Sequence, residues 1–247
     1  MAEKLTYACR RSCFHKEKAG MKMITVAGPP SSGKTSVILH TLASMSELKA
    51  AVVKFDCLTA VDKEQYEAVG ITVRVGYAGK LCPDHYFVTN VPDAFDWAVR
   101  SGFDLLVTES AGLCNRCSPY IRGIPAVCVI DNLSGIHTPR KLGPLLRMAD
   151  VIVVTKADLV SQAEREVFAY NIRKMNPRAT LLRVNGMTGQ GAFLLAKSFA
   201  LAPEKETLSG LSLRFTTPSS VCAYCTGEKR IGLEYPLGMT RPMEFDQ

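Results

Sequence analysis

Gly28-Pro-Pro-Ser-Ser-Gly33-Lys34-Thr35 constrains this chain more than any other stretch. It fits G-x-x-x-x-G-K-[ST] without mismatch, follows the apolar run Met23 to Val26, and opens a helix-like segment at Ser36. That layout suits a phosphate-binding loop. Glycines let the backbone wrap a phosphate chain closely, while Gly28, Ser31, Ser32, Gly33 and Ser36 offer N–H groups at a helix N-terminus. Lys34 is placed to reach the β- and γ-phosphates as a catalytic cation, and the Thr35 hydroxyl to ligate Mg²⁺.

Around the loop, strand-like runs alternate with helix-like ones. Strands are expected at Met23–Val26, Ala50–Phe55, Ile71–Val75, Phe103–Thr108, Ala126–Ile130, Val151–Val154 and Thr180–Val184. Helices are expected at Lys34–Met45, Asp62–Val69, Val91–Arg100, Pro139–Met148, Ser161–Met175 and Gln190–Ala200. Runs such as Val151-Ile-Val-Val154 are apolar on both faces, as strands covered on both sides must be. The fold class expected is α/β, a doubly wound and largely parallel sheet carrying a nucleoside triphosphatase site.

At 247 residues and 47% hydrophobic, the chain can bury one substantial core, alone or with a small appendage. Periodicity fades after about Leu201, where prolines and glycines punctuate the chain. Three parts follow: a basic lead segment at 1–21, a nucleotide domain at 22–200, and a cysteine-containing extension at 201–247. The extension either folds onto the domain or serves as a partner-binding arm. Of the net charge of +7, +4 lies in residues 1–22, with six Lys/Arg against two Glu. That bias points to a solvated tail rather than a nucleic-acid-binding face. No run reaches the length of a membrane span, and the N-terminus lacks a secretory apolar core, so a cytoplasmic protein is expected.

Two carboxylates fall where strand ends should meet the loop. Asp56 and Glu109 are candidates to hold Mg²⁺ or orient the hydrolytic water, and Glu109 opens Glu109-Ser-Ala-Gly112, whose glycine N–H can sense a γ-phosphate. Base choice is carried by Thr155-Lys156-Ala-Asp158. An Asp there accepts hydrogen bonds from guanine N1–H and N2–H₂, which adenine does not offer, while the Lys stem covers the ring. Asn185, in Asn185-Gly-Met-Thr-Gly189, supplies a further base-contacting loop. GTP is favoured, with ATP open because Thr155 stands where GTPases carry Asn.

These motifs resemble the nickel-insertion GTPases of hydrogenase and urease maturation, HypB and UreG, with the CobW proteins as further relatives. Gly28–Thr35, Asp56, Glu109–Gly112, Pro139-Arg-Lys-Leu-Gly-Pro144, Thr155–Asp158 and Asn185–Gly191 carry the likeness across roughly residues 22–200. The resemblance implies GTP-driven homodimerisation, a metal site across the dimer interface, low intrinsic GTPase activity and a client metalloenzyme or maturation partner. Residues 1–21, the motif at Cys114 and Cys117, and the tail depart from the pattern, and a His-rich metal store is absent.

Nine cysteines in a chain of this kind read as metal or redox ligands rather than disulfides. Cys82-Pro-Asp-His85 is similar to the Cys-Pro-His of the urease proteins with Asp84 inserted, and is expected in a loop before the third helix. A thiolate and an imidazole suit Ni²⁺ or Zn²⁺, and two such pairs across a dyad supply four ligands. Cys114-Asn-Arg-Cys117 follows the Glu109–Gly112 segment directly; paired with a symmetry mate it can hold zinc or a [4Fe–4S] cluster. Cys222-Ala-Tyr-Cys225 is a possible second metal site. Cys9, Cys13 and His15 offer a further metal-ligand set, although disorder is favoured in a basic lead segment; Cys57 is read as near the phosphates and Cys128 as core.

A nucleotide-dependent metallochaperone is the leading function. An iron–sulfur ATPase that gates low-potential electron transfer is the alternative, and a regulatory G-protein with a structural zinc staple is the third.

Overall fold

A computed structural model of the chain describes residues 20–58, 62–113, 117–216, 228–235 and 241–245. β1 (Met21–Ala27) leads through the glycine-rich loop into α1 (Lys34–Ala43), β2 (Ala50–Asp56), α2 (Lys63–Ala68), β3 (Thr72–Tyr77) and the long α3 (Pro83–Arg100). β4 (Leu105–Ser110) and β5 (Ala126–Asp131) precede the short α4 (Thr138–Lys141) and α5 (Gly143–Arg147). The chain then forms β6 (Val151–Thr155), α6 (Gln162–Met175), β7 (Thr180–Arg183), α7 (Ala192–Ala200) and β8 (Glu204–Lys205).

The strand order is β3-β2-β4-β1-β5-β6-β7, with parallel pairing throughout, and β8 pairs antiparallel with β1. β5 meets β1 only from Thr25 onward, and β8 pairs with its first residues, Met21 and Lys22. The doubly wound parallel sheet expected from the sequence is therefore present. Because β1 runs between β4 and β5, the loop after β1 lies at the crevice where such sheets bind ligands.

Alternation along the strands sorts the core by face. Ile24, Val52, Leu105 and Val107 pack with Val37 and Ile38 of α1, Tyr66 of α2 and Phe199 of α7. Met23, Val53, Phe55 and Leu106 pack beneath α3 with Phe87, Val91 and Phe95. Each fully buried aliphatic or aromatic side chain of this kind contributes about 1.5–3 kcal/mol. α6 begins with a capping box: Ser161 accepts from the Glu164 N–H and Glu164 reaches back to Ser161 N–H. Among the described residues no helix is long and apolar enough to cross a membrane.

α3 starts eight residues before the helix expected at Val91, so Cys82-Pro-Asp-His85 is not in a loop: Cys82 is the N-cap and Pro83 the first helical residue. Proline is well suited to that position, which lacks an intrahelical N–H partner in any case. Pro92, in the interior, leaves the Val88 carbonyl without its usual donor. The Gly232 N–H donates to that carbonyl at 3.0 Å, so the C-terminal region supplies the bond that the proline removes. The region is held elsewhere too. Asn90 donates to Arg241 O at 3.1 Å and accepts from Met243 N–H at 2.7 Å, and Phe245 stacks on Trp97 with ring centroids 5.6 Å apart. Arg214 donates to the carbonyls of Ile121, Ile124 and Met148 and pairs with Asp150.

Trp97 is the sole tryptophan, which gives this docking an optical readout. Phe245→Ala is expected to cost about 3 kcal/mol in urea unfolding and to shift Trp97 emission to the red in the native state. Unchanged emission and midpoint would show that the terminal segment does not pack on α3 in solution.

Candidate nucleotide and metal site

The loop sits where no β-carbon fits. A Cβ on Gly28 would lie 2.0 Å from Val129 O, and one on Gly112 would lie 1.6 Å from Gly28 O. Gly112 also has φ +72°, a left-handed conformation that glycine adopts without strain. The segment after β4 is thereby pressed directly onto the loop. Gly33 (φ +88°) then turns the chain into α1.

Lys34 folds back over this loop: its Nζ donates to Gly28 O at 3.0 Å and to Pro29 O at 2.9 Å. Burial lowers its pKa, and Glu109 opposes that effect. Thr35 Oγ1 lies 2.9 Å from Glu109 Oε1 and 3.2 Å from Asp62 Oδ2. Asp56 closes β2 and lines the same cavity of about 350 Å³, with Ser31, Gly33 and Ser36. Ser32 Oγ is buried and, among the described residues, has no hydrogen-bond partner. An orphaned hydroxyl under the loop suits a phosphate oxygen, and the oxygen-only set of Thr35, Asp56, Asp62 and Glu109 suits Mg²⁺, a hard cation.

Three groups here escape sequence reasoning: Lys54, Asp62 and Tyr66. Lys54, in register with Glu109 across β2 and β4, lies 3.2 Å from Glu109 Oε1 and 4.0 Å from Asp56 Oδ2, and its Nζ bonds Asp62 Oδ2. Burial alone would lower its pKa, but Glu109 and Asp62 outweigh burial and raise it. Burial likewise tends to raise the Asp62 pKa, and the Lys54 contact overrides it and lowers it. The available signal was one lysine inside Ala50-Ala-Val-Val-Lys-Phe-Asp56, since an unpaired lysine is almost never buried. Tyr66 OH, from α2, donates to Glu109 Oε2 at 2.9 Å and fixes that carboxylate from its other side.

On the far side of β1, Thr155 Oγ1 donates to Ser32 O at 2.7 Å. The residue standing in place of asparagine thus ties β6 to the phosphate loop. Lys156 is left-handed (φ +56°), and its Nζ donates to Ser31 O at 2.7 Å. Asp158 is exposed and lines a cavity of about 420 Å³ with Asn185, Arg183 and Phe193. Asn185 Oδ1 accepts from Met187 and Thr188 N–H, shaping its loop, and His40 of α1 meets Gly186 O at 3.1 Å.

The expected metal ligands are only partly described. Cys82 and His85 are buried in the first turn of α3, rather than presented by a loop. Cys117 is fully buried, and its Sγ donates to Asp84 Oδ2 of the same turn at 3.0 Å. Cys117 is therefore carried to the α3 turn of its own chain. Cys114, Cys222 and Cys225 lie outside the described residues, as do Cys9, Cys13 and His15. Among the described residues Cys82, His85 and Cys117 do not form a group of three ligands arranged to hold a metal ion. Cys57 is half-buried after Asp56, to whose Oδ1 its N–H donates at 2.8 Å, and Cys128 is core, with burial pushing its thiol up to about 12.

Gly112→Ala tests the contact between loop and switch. The added methyl cannot occupy a point 1.6 Å from Gly28 O, so one backbone must move. Calorimetry should show guanine-nucleotide affinity reduced at least about tenfold with the circular dichroism spectrum intact. Wild-type affinity would show that the two segments do not meet in solution.

Residues 22–183 match the family described as CobW/HypB/UreG, nucleotide-binding domain. An uncharacterized protein of Methanocaldococcus jannaschii is 43% identical over 226 residues, covering 91% of this chain and 97% of its own. Urease accessory protein UreG 2 of Methylorubrum populi is 30% identical over 191 residues, covering 69% of this chain and 88% of its own. The fold is similar to that of HypB from Helicobacter pylori in complex with nickel, with a TM-score of 0.56 at 18% identity, covering 74% of this chain and 87% of that one. Through its residues 22–183, with their phosphate loop and parallel sheet, the chain belongs to the CobW/HypB/UreG family of nucleotide-binding P-loop proteins.

Proposed function

We propose that this protein is a GTP-dependent metallochaperone, a GTPase that loads a transition metal into a client metalloenzyme. One observation carries the reading. Glu109, which sits at Thr35, and Cys117, which sits at Asp84 in the first turn of α3, are the two ends of one segment, and that segment passes over the phosphate loop at Gly112. A single short stretch thus joins the nucleotide site to a thiol and imidazole neighbourhood.

In this reading Gly28, Ser31, Ser32, Gly33, Lys34, Thr35 and Ser36 hold the phosphates. Lys34 balances their charge, and Thr35, Asp56 and Glu109 hold Mg²⁺, which neutralises developing charge on the transferred phosphoryl group. Lys156, Asp158 and Asn185 hold the guanine base. Cys82, His85 and Cys117, together with Cys114, take the metal. Sulfur and nitrogen ligands suit Ni²⁺, and the nickel in the related HypB structure supports that choice over zinc or an iron–sulfur cluster. Nucleotide closes a homodimer over these groups, and hydrolysis opens it. The burial of Cys117 and His85 means that metal exchange requires the segment after β4 to shift.

Linkage fixes the test. If the GTP state binds metal more tightly, metal must tighten GTP binding by the same factor. Ni²⁺ affinity should differ by about five-fold or more between GDP and a non-hydrolysable GTP analogue, within the usual range of allosteric coupling. Light scattering should report a dimer only with the analogue. Cys82→Ser, His85→Ala and Cys117→Ser should abolish the metal response while leaving GTP binding intact. Equal metal affinities in both states would remove the chaperone reading and leave a GTPase. Asp158→Asn should cost GTP about tenfold to a hundredfold in affinity, the loss expected for hydrogen bonds to a charged group. Tighter binding of ATP than GTP by the wild type would overturn the base assignment.

A further inference from the structure

Lys54 is the least expected charge in the molecule. Its side chain is 5% exposed, and it continues the face of β2 that Val52 shares with the apolar cluster beneath α1. An ammonium group held there needs carboxylates around it, and three are within reach. Glu109 Oε1 is 3.2 Å away, Asp56 Oδ2 is 4.0 Å away, and Asp62 Oδ2 is in direct contact. The same two oxygens, Glu109 Oε1 and Asp62 Oδ2, are the ones that Thr35 Oγ1 meets. Lys54 therefore bridges the oxygens best placed to receive a cation at the Thr35 hydroxyl.

We propose that Lys54 is a positioning residue of the nucleotide site: its ammonium group holds Glu109 and Asp62 against Thr35 in the absence of a divalent cation, and Mg²⁺ arriving with the nucleotide must compete with it for those oxygens. This rests on the Mg²⁺–nucleotide reading above. Two cations contacting the same pair of oxygens repel each other, so magnesium binding shifts the ammonium group, Asp62 or both. Asp62 is the freer partner. It is the N-cap of α2, and its side chain is 35% exposed, against 1% for Glu109, which Tyr66 also holds. The Asp62 side chain makes no capping bond to α2, so its release would free the start of that helix from Thr35 and Lys54 as the triphosphate enters. Magnesium without nucleotide would bind weakly, because the internal cation already neutralises its ligands.

The test is made on the full chain without nucleotide. Lys54→Met keeps the stem and removes the charge. In metal-free buffer its melting temperature should fall below that of the wild type, and MgCl₂ should restore it, with NaCl at equal ionic strength failing to do so. The half-point for this Mg²⁺ response should lie about tenfold lower than in the wild type. Lys54→Arg should keep the wild-type response. Lys54→Met/Asp62→Asn should recover part of the metal-free stability and show a weaker Mg²⁺ response than Lys54→Met, since one of the two carboxylates on Thr35 is neutralised while Glu109 stays buried without its lysine. If Lys54→Met does not fold alone, it should fold in millimolar MgCl₂ and not in matched NaCl; failure in both overturns the proposal. A Lys54→Met response that overlays the wild type also overturns it. Wild-type calorimetry with Mg²⁺ and GTP separates the levels: no binding refutes the nucleotide reading itself, whereas binding with an unaltered Lys54→Met response refutes only the role of Lys54.

Discussion

The architecture depends on three backbones meeting where there is no space for a side chain. Gly28 lies against the Val129 carbonyl of β5, and Gly112 lies against the carbonyl of Gly28 itself. Parallel pairing on both sides of β1 sets these approaches, since β4 and β5 bring their C-terminal ends to the same edge as the loop. A residue with a β-carbon at either glycine would separate the loop from a neighbouring strand. The N–H groups of the loop can converge on a phosphate because the strands converge first.

Charge is the second constraint, and it follows from register. Val26, Glu109 and Lys54 stand in one row across β1, β4 and β2, so the side chains of Glu109 and Lys54 emerge on one face. A buried glutamate beside the phosphate loop would otherwise have the Thr35 hydroxyl and, as its nearby cation, Lys34, which already donates to the loop's own carbonyls. Lys54 and the Tyr66 hydroxyl complete its environment. A buried ion pair of this kind adds little net stability after desolvation, but it fixes where each carboxylate points. In a site that works through positioned oxygens, that fixing is its use.

What could be read beforehand was local. The phosphate loop, its strand and helix, and the seven parallel strands follow from motif and hydrophobic period, because neighbours in sequence carry both. Asp56 and Glu109 were legible as strand ends. Lys54 and Asp62 were not, because their meaning comes from a carboxylate on another strand and from a turn that closes in space. The start of α3 was hidden by its two prolines. Pro92 reads as a helix near its beginning, whereas the structure places it mid-helix with a donor borrowed from Gly232. The region beyond Leu201 shows no period because it is organised by distant partners, namely Asn90, Trp97 and the carbonyls that Arg214 gathers.

Strand alternation also sets what lies between the carboxylate row and the first turns of α3. Lys54 and Asp56 face the nucleotide side of β2, while Phe55, between them, faces α3 and meets Phe87 edge to face at 5.1 Å and Tyr86 at 6.2 Å. The Phe55 carbonyl accepts from the Ala111 N–H at 3.0 Å, which ties the segment after β4 to the same residue. A shift of that segment off Gly28 must therefore break this bond or carry the end of β2 with it. In the second case Phe55 moves against the turns of α3 adjoining Cys82 and His85. Phe55, apolar itself, thus packs between the carboxylate row of β2 and the first turns of α3.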